Sequence, residues 1–381
     1  MRDIIIVGGG ASAFATALSA KAGNPNLDIL IVEKNEQLGK KLKATGNGRC
    51  NITNSNAEEF RLVLRFLEQN GILTKEEDEG RFYPYNEDAA DCVKALSHRI
   101  KALGVDTSLG DGVIKIDKDS NGFTVNTEQG QKLEAKNVVI ACGGKAGPQY
   151  GTIGDSFKFA RSLGHRVTSL APALTGIDTV EDLKALKGVR HQATASLYKE
   201  GQLIASEQGQ VQFTEYGLSG ICIFNLSRLI KFEEGEDVRE GFQKFTISLD
   251  LLPELDHDQV VEILEERLSM ADMKLQDALR TLVKEPLANY LLGKATDLNM
   301  LAKELKDLKL GVSGLEGWKM AQLTRGGVVL DEINMDTMES KLVKGLYIVG
   351  EAIDFDGPCG GYNLQNAFET GIYAGEALAG E

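Results

Sequence analysis

The chain has 381 residues, which is long enough for two or three domains with complete hydrophobic cores. Apolar residues make up 42% of the sequence and charged residues 26%, as in ordinary globular proteins. The net charge of −14 argues against a broadly basic surface, so we expect no nucleic acid partner. The longest uncharged run, residues 4–20, is too short and too rich in glycine to span a membrane, so no membrane partner is expected.

Cysteine usage narrows the chemistry further. No C-x-x-C pair occurs, so we predict neither a dithiol redox centre nor a zinc or iron–sulfur site, and no metal ligand is assigned. Dispersed cysteines fit a reducing compartment, and no signal peptide precedes the first predicted strand, so a cytoplasmic location is expected. No oligomeric state is predicted. The five cysteines stand far apart in the sequence: Cys50, Cys92, Cys142, Cys222 and Cys359.

The first twenty residues carry the strongest signal. Residues 4–7 are apolar and predict a strand buried on both faces, and residues 13–20 predict a helix. The G-x-G-x-x-A pattern between them is typical of a tight turn that lets the backbone approach a phosphate, with the helix N-terminus facing the pyrophosphate. Alanine suits the third position, which needs only close packing of helix against strand. The predicted contacts are Gly8, Gly10, Ala11, Ser12 and Ala13.

A second predicted strand, residues 28–32, ends at an acidic residue. This residue, Glu33, follows Gly8 by 25 positions (33 − 8), near the spacing of the acid that binds a ribose hydroxyl in dinucleotide-binding folds. Strand, glycine turn, helix, strand and acid therefore arrive in the order of an adenine dinucleotide site. An acid here disfavours a 2′-phosphate, so NAD or FAD is preferred to NADP. We include the adjacent Lys34 in the predicted site.

The loop at residues 39–54 is dense in glycine, asparagine and cations and has no apolar periodicity. Backbone N–H groups, amide side chains and a guanidinium suit the anionic and polar groups of a cofactor. The alternative is a solvated surface loop. Its length and its place after the ribose-binding acid favour a functional loop. The predicted cofactor residues here are Lys41, Gly46, Asn47, Gly48, Arg49, Cys50 and Asn51.

These segments resemble the BaiN/RdsA flavoproteins, a family that includes the bacterial aminoacetone oxidases. The likeness rests on residues 7–11, 39–41 and 44–54 and recurs along nearly the whole chain. The resemblance implies FAD as the cofactor. It also implies that a hairpin around residues 121–122 and a buried strand at 137–144 close the FAD domain.

Later segments add further residues to the predicted FAD site. The loop at 151–156 resembles a loop of the family, although Asp155 is equally typical of a helix N-cap. Near the carboxyl terminus, a buried strand ends in Gly-Glu, and a glycine pair opens a terminal helix. The resemblance implies that this stretch lines the ribityl chain and places a helix end near the flavin pyrimidine. The added cofactor residues are Val113, Ala141, Gly143, Gly144, Gly154, Asp155, Gly350, Glu351, Gly361, Tyr362, Asn363 and Leu364.

The central region has a different character. Strand-like runs at 166–174, 191–198 and 201–213 predict a small antiparallel sheet or barrel, and residues 245–252 predict another strand. Residues 256–310 are predicted to be helical, with apolar stripes explained by core packing. The predicted fold is therefore α/β: a three-layer Rossmann-like FAD domain with an inserted small β domain and a helical domain. The predicted boundaries are 1–163 plus 322–381, 164–252 and 253–321.

Three residues are candidates for catalysis. Arg325, followed by two glycines, is predicted to face flavin or substrate, with a surface cation as the alternative. Tyr362 and Tyr216 are candidates to hydrogen-bond a substrate or donate a proton, against buried tyrosines with satisfied hydroxyls. The segment around Tyr216 departs from the family signature, because Glu215 and Ile221 stand where we expect histidine and proline. Ser219 is expected to cap the next helix.

No second G-x-G-x-x-G follows, so the chain lacks a dedicated NAD(P)H domain. Either NAD(P)H visits the flavin transiently, or the substrate reduces the flavin and oxygen reoxidises it. The first hypothesis is an FAD-dependent oxidoreductase that transfers hydride at the flavin to a small organic substrate, such as an activated C=C bond. The second is an aminoacetone-type amine oxidase that releases hydrogen peroxide. The third is a ribosomal RNA dihydrouridine synthase, which the acidic charge disfavours.

Overall fold

A computed structural model describes residues 1–232 and 236–380. The chain divides into two compact units, Met1–Ala171 with Gln322–Glu381 and Pro172–Ala321. Each unit buries its own cluster of apolar side chains. Among the described residues, every helix falls short of the length and apolar character that a membrane crossing needs.

The first unit is built on strands from both ends of the chain. One further short strand, β10 (Ala171–Ala173), stands where the chain passes from the first unit to the second. The strands of the first unit are β1 (Arg2–Val7), β2 (Ile29–Glu33), β3 (Thr53–Asn54), β4 (Thr74–Glu77), β5 (Arg81–Pro84), β6 (Asp106–Leu109), β7 (Val113–Lys118), β8 (Phe123–Thr127), β9 (Lys132–Ile140), β17 (Leu323–Arg325) and β18 (Leu346–Ile348). Its helices are α1 (Ala11–Gly23), α2 (Phe60–Gln69), α3 (Ala89–Ala102), α4 (Asp155–Ser162) and α11 (Tyr362–Ala379).

The main sheet has the order β6-β2-β1-β9-β8-β7, and β18 also pairs with β9. The strand pairs β6–β2, β2–β1, β1–β9 and β18–β9 are parallel. Strands β7, β8 and β9 form an antiparallel meander. The isoleucines of β1 are fully buried, as expected for a parallel strand covered on both faces. The hairpin predicted at residues 121–122 joins β7 to β8. The buried strand predicted at 137–144 is the second half of β9, which begins at Lys132 and ends at Ile140.

Helices α1 and α11 pack against each other unusually closely. A Cβ atom at Gly371 would lie 2.5 Å from the carbonyl oxygen of Ser12, and one at Gly375 would lie 2.5 Å from that of Thr16. Glycine at these two positions therefore lets the backbones of the helices approach. The N-terminal turns of both helices lie beside the same cleft, which is described below.

The second unit contains a closed barrel with the strand order β11-β14-β13-β12-β15-β16, in which β16 pairs back with β11. The predicted Rossmann-like α/β fold with a small antiparallel barrel is thus confirmed. Its strands are β11 (Ile177–Thr179), β12 (Arg190–Lys199), β13 (Gln202–Phe213), β14 (Gly217–Ser219), β15 (Phe245–Asp250) and β16 (Leu308–Leu315). Its helices are α5 (Ile221–Ser227), α6 (Val238–Gln243), α7 (His257–Ser269), α8 (Leu275–Ala278), α9 (Glu285–Leu292) and α10 (Leu298–Lys306).

Three local predictions in this region are wrong. The helical prediction for 256–310 fails at its end, because Leu308 begins β16. The strand predicted over 166–174 shortens to the three residues of β10, which contain Pro172. Ser219 lies in β14 and does not cap α5, whose N-cap residue is Gly220.

Candidate functional site

A cleft of about 300 Å³ opens in the first unit at the carboxyl ends of β1, β2 and β9. β1 and β9 are parallel and in register at Val7 and Ile140, so Gly8 and Ala141 leave the sheet side by side. In open α/β sheets, ligands bind at this edge of the sheet. Residues from the first turns of α1, α4 and α11 complete the wall of the cleft.

Helix α1 begins beside the cleft with its backbone N–H groups uncapped. Its N-cap residue, Gly10, has no side chain that can accept from them, and the first turn holds no acidic residue. Free N–H groups at a helix N-terminus carry partial positive charge and bind anions such as phosphate. The start of α1 is therefore suited to a pyrophosphate.

Gly8 and Gly10 are required for different reasons. Gly8 has a φ of +101°, and a Cβ there would lie 2.6 Å from the carbonyl oxygen of Ala141, so the fold itself demands glycine. Gly10 has an ordinary φ of −87°, and a Cβ there would meet no protein atom within 4 Å. Because Gly10 lines the cleft, a side chain at this position would occupy the space beside the helix N-terminus. A ligand that comes close to the backbone accounts for a glycine at this position.

The carboxylate of Glu33 is held at the end of β2 by three N–H donors. Its Oε2 accepts from the backbone N–H of Gly9 at 2.7 Å. Its Oε1 accepts from the backbone N–H and the side-chain amide of Asn35 at 2.8 and 2.6 Å. Since an ionised carboxylate offers roughly four acceptor positions, one remains for a ribose hydroxyl. The side chain is oriented before any ligand arrives.

Helix α11 also begins at the cleft without a side-chain cap. Its N-cap residue, Gly361, has a φ of +106°, and no acidic residue stands in its first turn. Asn363 and Leu364 of that turn line the cleft. The side chain of Asn363 folds back to bond both the N–H and the carbonyl oxygen of Gly357, at 2.8 and 2.9 Å, and fixes the preceding loop.

Two ion pairs lie in the cleft wall. Lys34 Nζ lies 2.6 Å from Asp155 Oδ2, and Lys41 Nζ lies 2.6 Å from Glu351 Oε2. The other oxygen of Glu351 accepts from the backbone N–H of Thr324 at 2.8 Å. The expectation that Asp155 caps α4 is wrong. The N-cap is Gly154, and the Asp155 carboxylate turns to Lys34 instead.

Cys142 lines the cleft directly after β9. Burial, reinforced by the nearby charge of Asp155, raises the pKa of this thiol to about 12. The thiol therefore stays protonated at neutral pH, and a protonated thiol is a poor nucleophile. This fits a small apolar filler beneath a cofactor.

Comparison with known proteins identifies the family. Residues 59–377 match the model of the HI0933-like protein Rossmann domain. The chain belongs to the HI0933-like family. The predicted BaiN/RdsA-type resemblance is thereby confirmed, and this HI0933-like chain is an FAD-dependent oxidoreductase.

Two named relatives span nearly all of this HI0933-like chain. The 3-dehydro-bile acid delta(4,6)-reductase of Clostridium scindens is 32% identical, with 100% of this chain and 99% of the relative aligned. The ribosomal RNA dihydrouridine synthase of Escherichia coli is 28% identical, with 97% of this chain and 96% of the relative aligned.

Solved structures show the same fold at low sequence identity. The 3-ketosteroid delta1-dehydrogenase of Sterolibacterium denitrificans is 13% identical, with a TM-score of 0.54 over 100% of this chain and 99% of its own. A 3-ketosteroid-delta4-(5alpha)-dehydrogenase of Rhodococcus jostii is 15% identical, with a TM-score of 0.50 over 99% and 96% of the two chains. At these identities the likeness concerns the fold alone.

The residues of this HI0933-like chain fit FAD. The open space beside Gly10, the uncapped start of α1 and the oriented Glu33 suit a pyrophosphate and a ribose. In addition, the Oδ1 atom of Asn51, in the predicted cofactor loop, is buried without a hydrogen-bond partner. A buried acceptor of this kind costs free energy unless a ligand supplies a donor.

The structure brings many of the predicted cofactor residues together. They come from five separate parts of the sequence and meet in one cleft because the sheet edge and the helix starts converge there. The predicted residues that line the cleft are Gly8, Gly10, Ala11, Ser12, Glu33, Lys34, Lys41, Val113, Ala141, Gly143, Asp155, Glu351, Asn363 and Leu364. Those outside its lining are Ala13, Gly46, Asn47, Gly48, Arg49, Cys50, Asn51, Gly144, Gly154, Gly350, Gly361 and Tyr362. The cofactor roles of both groups stay predictions.

Within the predicted cofactor loop, Arg49 binds protein carboxylates. Its guanidinium lies 2.6 Å from both Glu77 and Glu87 and stacks 4.2 Å from the ring centroid of Tyr83. These contacts fasten the loop to the small sheet β3-β5-β4. Thr45, in the same loop, lines the cleft and was not among the predicted residues.

Cys50 has a left-handed backbone with a φ of +64°, and its side chain is buried. It contacts the thiol of Cys92 on α3, which the sequence separates from it by 42 positions (92 − 50). The hydrogen bond with Cys92, together with burial, raises the pKa of Cys50 well above its ordinary value. The Cys50 side chain therefore packs as a neutral thiol on the buried side of the loop.

The three catalytic candidates occupy different settings. Arg325 ends β17, and burial lowers the pKa of its guanidinium, opposed by the charges of Asp356 and Asp354. Tyr362 is the first residue of α11 and lies outside the cleft lining, next to Asn363, which belongs to it. Tyr216 lies in the turn between β13 and β14 of the second unit, and 69% of it is exposed. Their roles in catalysis stay predictions.

Sequence reasoning missed several cleft residues because they belong to no motif. Ile114 and Ile153 line the cleft although they are 46% and 57% exposed. Phe355, also in the lining, is 37% exposed. Apolar side chains left open in a cleft suit a flat ligand surface, and they could have been sought in the loops that flank the glycine motifs. The other missed residues include Asn35, Thr45, Tyr150, Gln322 and Leu323.

Proposed function

We propose that this protein reduces an activated carbon–carbon double bond of a small organic substrate, with NAD(P)H as the source of the hydride. The observation that carries this proposal is the relative named as a 3-dehydro-bile acid delta(4,6)-reductase, which aligns with the whole chain. The name describes reduction of ring double bonds in a small molecule. The absence of a second dinucleotide motif supports a transient visit of NAD(P)H to the flavin.

The cleft in the first unit supplies the cofactor site for this reaction. The start of α1 and Glu33 would hold the pyrophosphate and the adenine ribose of FAD. Asn363 and Leu364, in the first turn of α11, would line the end of the cleft that receives the flavin half of FAD. FAD supplies the hydride-transfer chemistry when bound, so the protein needs to supply binding, orientation and proton transfer.

Reduction of a double bond conjugated to a carbonyl needs one hydride and one proton, added to adjacent carbons. Within this proposal, the hydroxyl of Tyr362 donates the proton, and the guanidinium of Arg325 binds the carbonyl oxygen and polarises the bond. Burial of Arg325 strengthens such a contact, because its charge interacts through less water. Tyr216 is the third candidate, for a hydrogen bond to the substrate.

The experiment is an anaerobic titration of the FAD-loaded protein with NADH and NADPH, followed by a 3-oxo bile acid unsaturated at C4 and C6. We expect either nicotinamide to bleach the flavin absorbance and the bile acid to restore it, with a product heavier by two hydrogens per bond reduced. Tyr362→Phe should slow reoxidation by the substrate about a hundredfold and leave bleaching unchanged. Bleaching by a small amine alone, with oxygen uptake, would contradict the proposal and indicate an amine oxidase.

A second candidate is reduction of uridine in ribosomal RNA. It is favoured by the relatives named ribosomal RNA dihydrouridine synthase, at 28% and 26% identity over 97% of this chain. The net charge of −14 opposes it, because RNA affinity depends on neutralising phosphates. Binding of ribosomal RNA that weakens steeply with salt, together with dihydrouridine formation, would favour this candidate over the first.

A further inference from the structure

The two-residue strand β3 lies directly against the start of α11. A Cβ atom at Gly361 would lie 2.5 Å from the carbonyl oxygen of Thr53, and Gly361 has a left-handed φ of +106°. Both the space and the backbone therefore exclude the serine, threonine, aspartate or asparagine that usually caps a helix. The contact with β3 keeps the first N–H groups of α11 free.

Asn54, the second residue of β3, holds the turn that leads into α11. Its side-chain Nδ2 donates to the carbonyl oxygens of Gly360, at 3.1 Å, and Glu79, at 2.9 Å. Its Oδ1 accepts from the backbone N–H of Asn56 at 3.0 Å. The side chain is 3% exposed, so these bonds form away from competing water.

A second contact fixes the same junction from the neighbouring residue. The hydroxyl of Thr53 donates to the side-chain oxygen of Gln365, one turn into α11. Gln365 in turn donates to the backbone carbonyl of Glu58 at 3.0 Å. β3 thus contacts α11 both at its N-cap and one turn further on, so the direction of the helix start is set by Thr53 and Asn54.

The position of this helix start in the cleft gives it an electrostatic role. The ribose-binding Glu33 and the start of α1 place the ADP half of the cofactor at one end of the cleft, so the flavin half is left for the end that α11 lines. Two electrons and one proton added to FAD leave one extra negative charge on the flavin. Free N–H groups at a helix N-terminus stabilise such a charge and so raise the reduction potential.

We propose that Asn54 is a positioning residue for flavin reduction: it orients the uncapped start of α11 so that the reduced cofactor is bound more tightly than the oxidised one. The inference rests on the FAD site of the proposed function. It does not depend on the substrate. Asn54 itself lies outside the lining of the cleft and acts through Gly360.

The test is the midpoint potential of bound FAD, measured by equilibration with redox dyes, in the wild type and in Asn54→Ala. We expect the affinity for reduced FAD, relative to oxidised FAD, to fall about tenfold, which lowers the potential of a two-electron couple by about 30 mV. Affinity for oxidised FAD should change less than about threefold. The matched control is Asn70→Ala, which also removes a hydrogen bond from a side-chain amide to a backbone carbonyl, that of Phe66 at 2.7 Å, at the C-terminal end of α2.

Three outcomes overturn the inference. They are an unchanged potential in Asn54→Ala, an equal shift in Asn70→Ala, and a parallel loss of affinity for both forms of FAD. If Asn54→Ala does not fold, Asn54→Leu keeps about the same size and removes the donor to Gly360 without adding a charge, and the same negative shift is expected. Because the measurement needs neither NAD(P)H nor substrate, its failure is distinct from a failure of the proposed reductase activity.

Discussion

Three helices of each unit begin in different ways. In the second unit, α6, α7 and α10 start at Asp237, Asp256 and Asp297, whose side chains accept from the first backbone N–H groups. In the first unit, the helices that reach the cleft, α1, α4 and α11, start at glycines without any side-chain cap. The second unit satisfies these three helix ends with its own aspartates, although α8 and α9 begin at Lys274 and Lys284 without a side-chain cap. The three helix ends at the cleft stay open.

The uncapped starts of α1 and α11 leave backbone donors available to a ligand in the cleft. Outside the cleft lining, the first unit contains both a capped helix, α3 with Asp88, and an uncapped one, α2, which starts at Glu59. In the second unit, α5 is uncapped for a steric reason, because a Cβ at Gly220 would lie 2.3 Å from the carbonyl oxygen of Gln210. Open helix ends beside a cleft cost stability, and a bound anion recovers it. FAD is therefore expected to stabilise the first unit.

The largest effect should come from forcing apart the two open helices. Gly371→Val places a branched side chain where a Cβ already lies 2.5 Å from the carbonyl oxygen of Ser12, so α1 and α11 must separate. We expect a loss of about 3 kcal/mol in the free energy of unfolding and a large loss of FAD affinity. Urea unfolding and FAD titration measure both. Gly380→Val, near the end of α11, is the control, and equal behaviour of the two variants would contradict the close packing.

The next effect concerns the acid at the end of β2. Glu33→Gln keeps the shape but removes the charge and replaces one acceptor oxygen with an N–H₂ group, which opposes the N–H donors of Gly9 or Asn35. FAD affinity should fall about tenfold to a hundredfold, because hydrogen bonds to a charged group contribute about 1.5–3 kcal/mol. Quenching of flavin fluorescence gives the affinity. The nearby exposed Glu36→Gln should bind FAD like the wild type, and loss of binding there would point to general charge effects.

A smaller effect is expected in the second unit, which contains the barrel. Asp256→Ala removes a capping box in which Asp256 accepts from the backbone N–H of Gln259 and the Gln259 side chain bonds back. The free energy of unfolding should fall by about 1 kcal/mol with unchanged FAD affinity. Thermal melts with and without FAD measure both the loss of stability and the stabilisation by FAD, which should equal that of the wild type. A lower FAD affinity in this variant would break the contrast between the units.

The smallest effect is a pH dependence inside the first unit. His165 is buried between the carboxylate of Glu332, 3.0 Å from Nδ1, and the hydroxyl of Ser340, 2.9 Å from Nε2, while Arg166 pairs with the same carboxylate. Burial lowers the pKa of His165, and Glu332 opposes part of this shift. The unfolded chain, with an ordinary pKa of 6.5, therefore binds the proton more readily than the folded protein.

The contribution of His165 is consequently present above pH 6.5 and is lost as the pH falls through the lower pKa of the folded protein. Urea midpoints at neutral pH and near pH 5 should show a loss of stability that is smaller in His165→Gln. An identical pH dependence in the variant would contradict the assignment.

The sequence predicted the parts of the site that depend on local spacing. β1, the glycine turn, α1 and Glu33 follow each other within 33 residues, and their order alone indicates the cofactor. The barrel was also predicted, from short strands separated by turns. The stretch at Leu308–Leu315 was misassigned because Leu308 fits both the helical stripe of α10 and the alternation of Leu308, Leu310 and Val312 in β16.

Long-range pairing explains what the sequence did not reveal. Arg49 pairs with carboxylates that lie 28 and 38 positions away in the sequence. Cys50 contacts Cys92 because α3 packs against the loop. Neither partner lies at a spacing that a local pattern reports. The same holds for Asn54 and Gly360, which are separated by 306 positions and meet only once the terminal helix docks.

The most direct test of the cleft as an FAD site is the affinity of Gly10→Val for FAD. Position 10 has an ordinary φ and open space around its Cβ, so valine should fold normally and fill the place of the pyrophosphate. Gly317→Val, also with no atom within 4 Å of its Cβ, is the matched control in the second unit. The account predicts at least a hundredfold weaker FAD binding for Gly10→Val, with wild-type melting and an unchanged control. Wild-type affinity in Gly10→Val would contradict it.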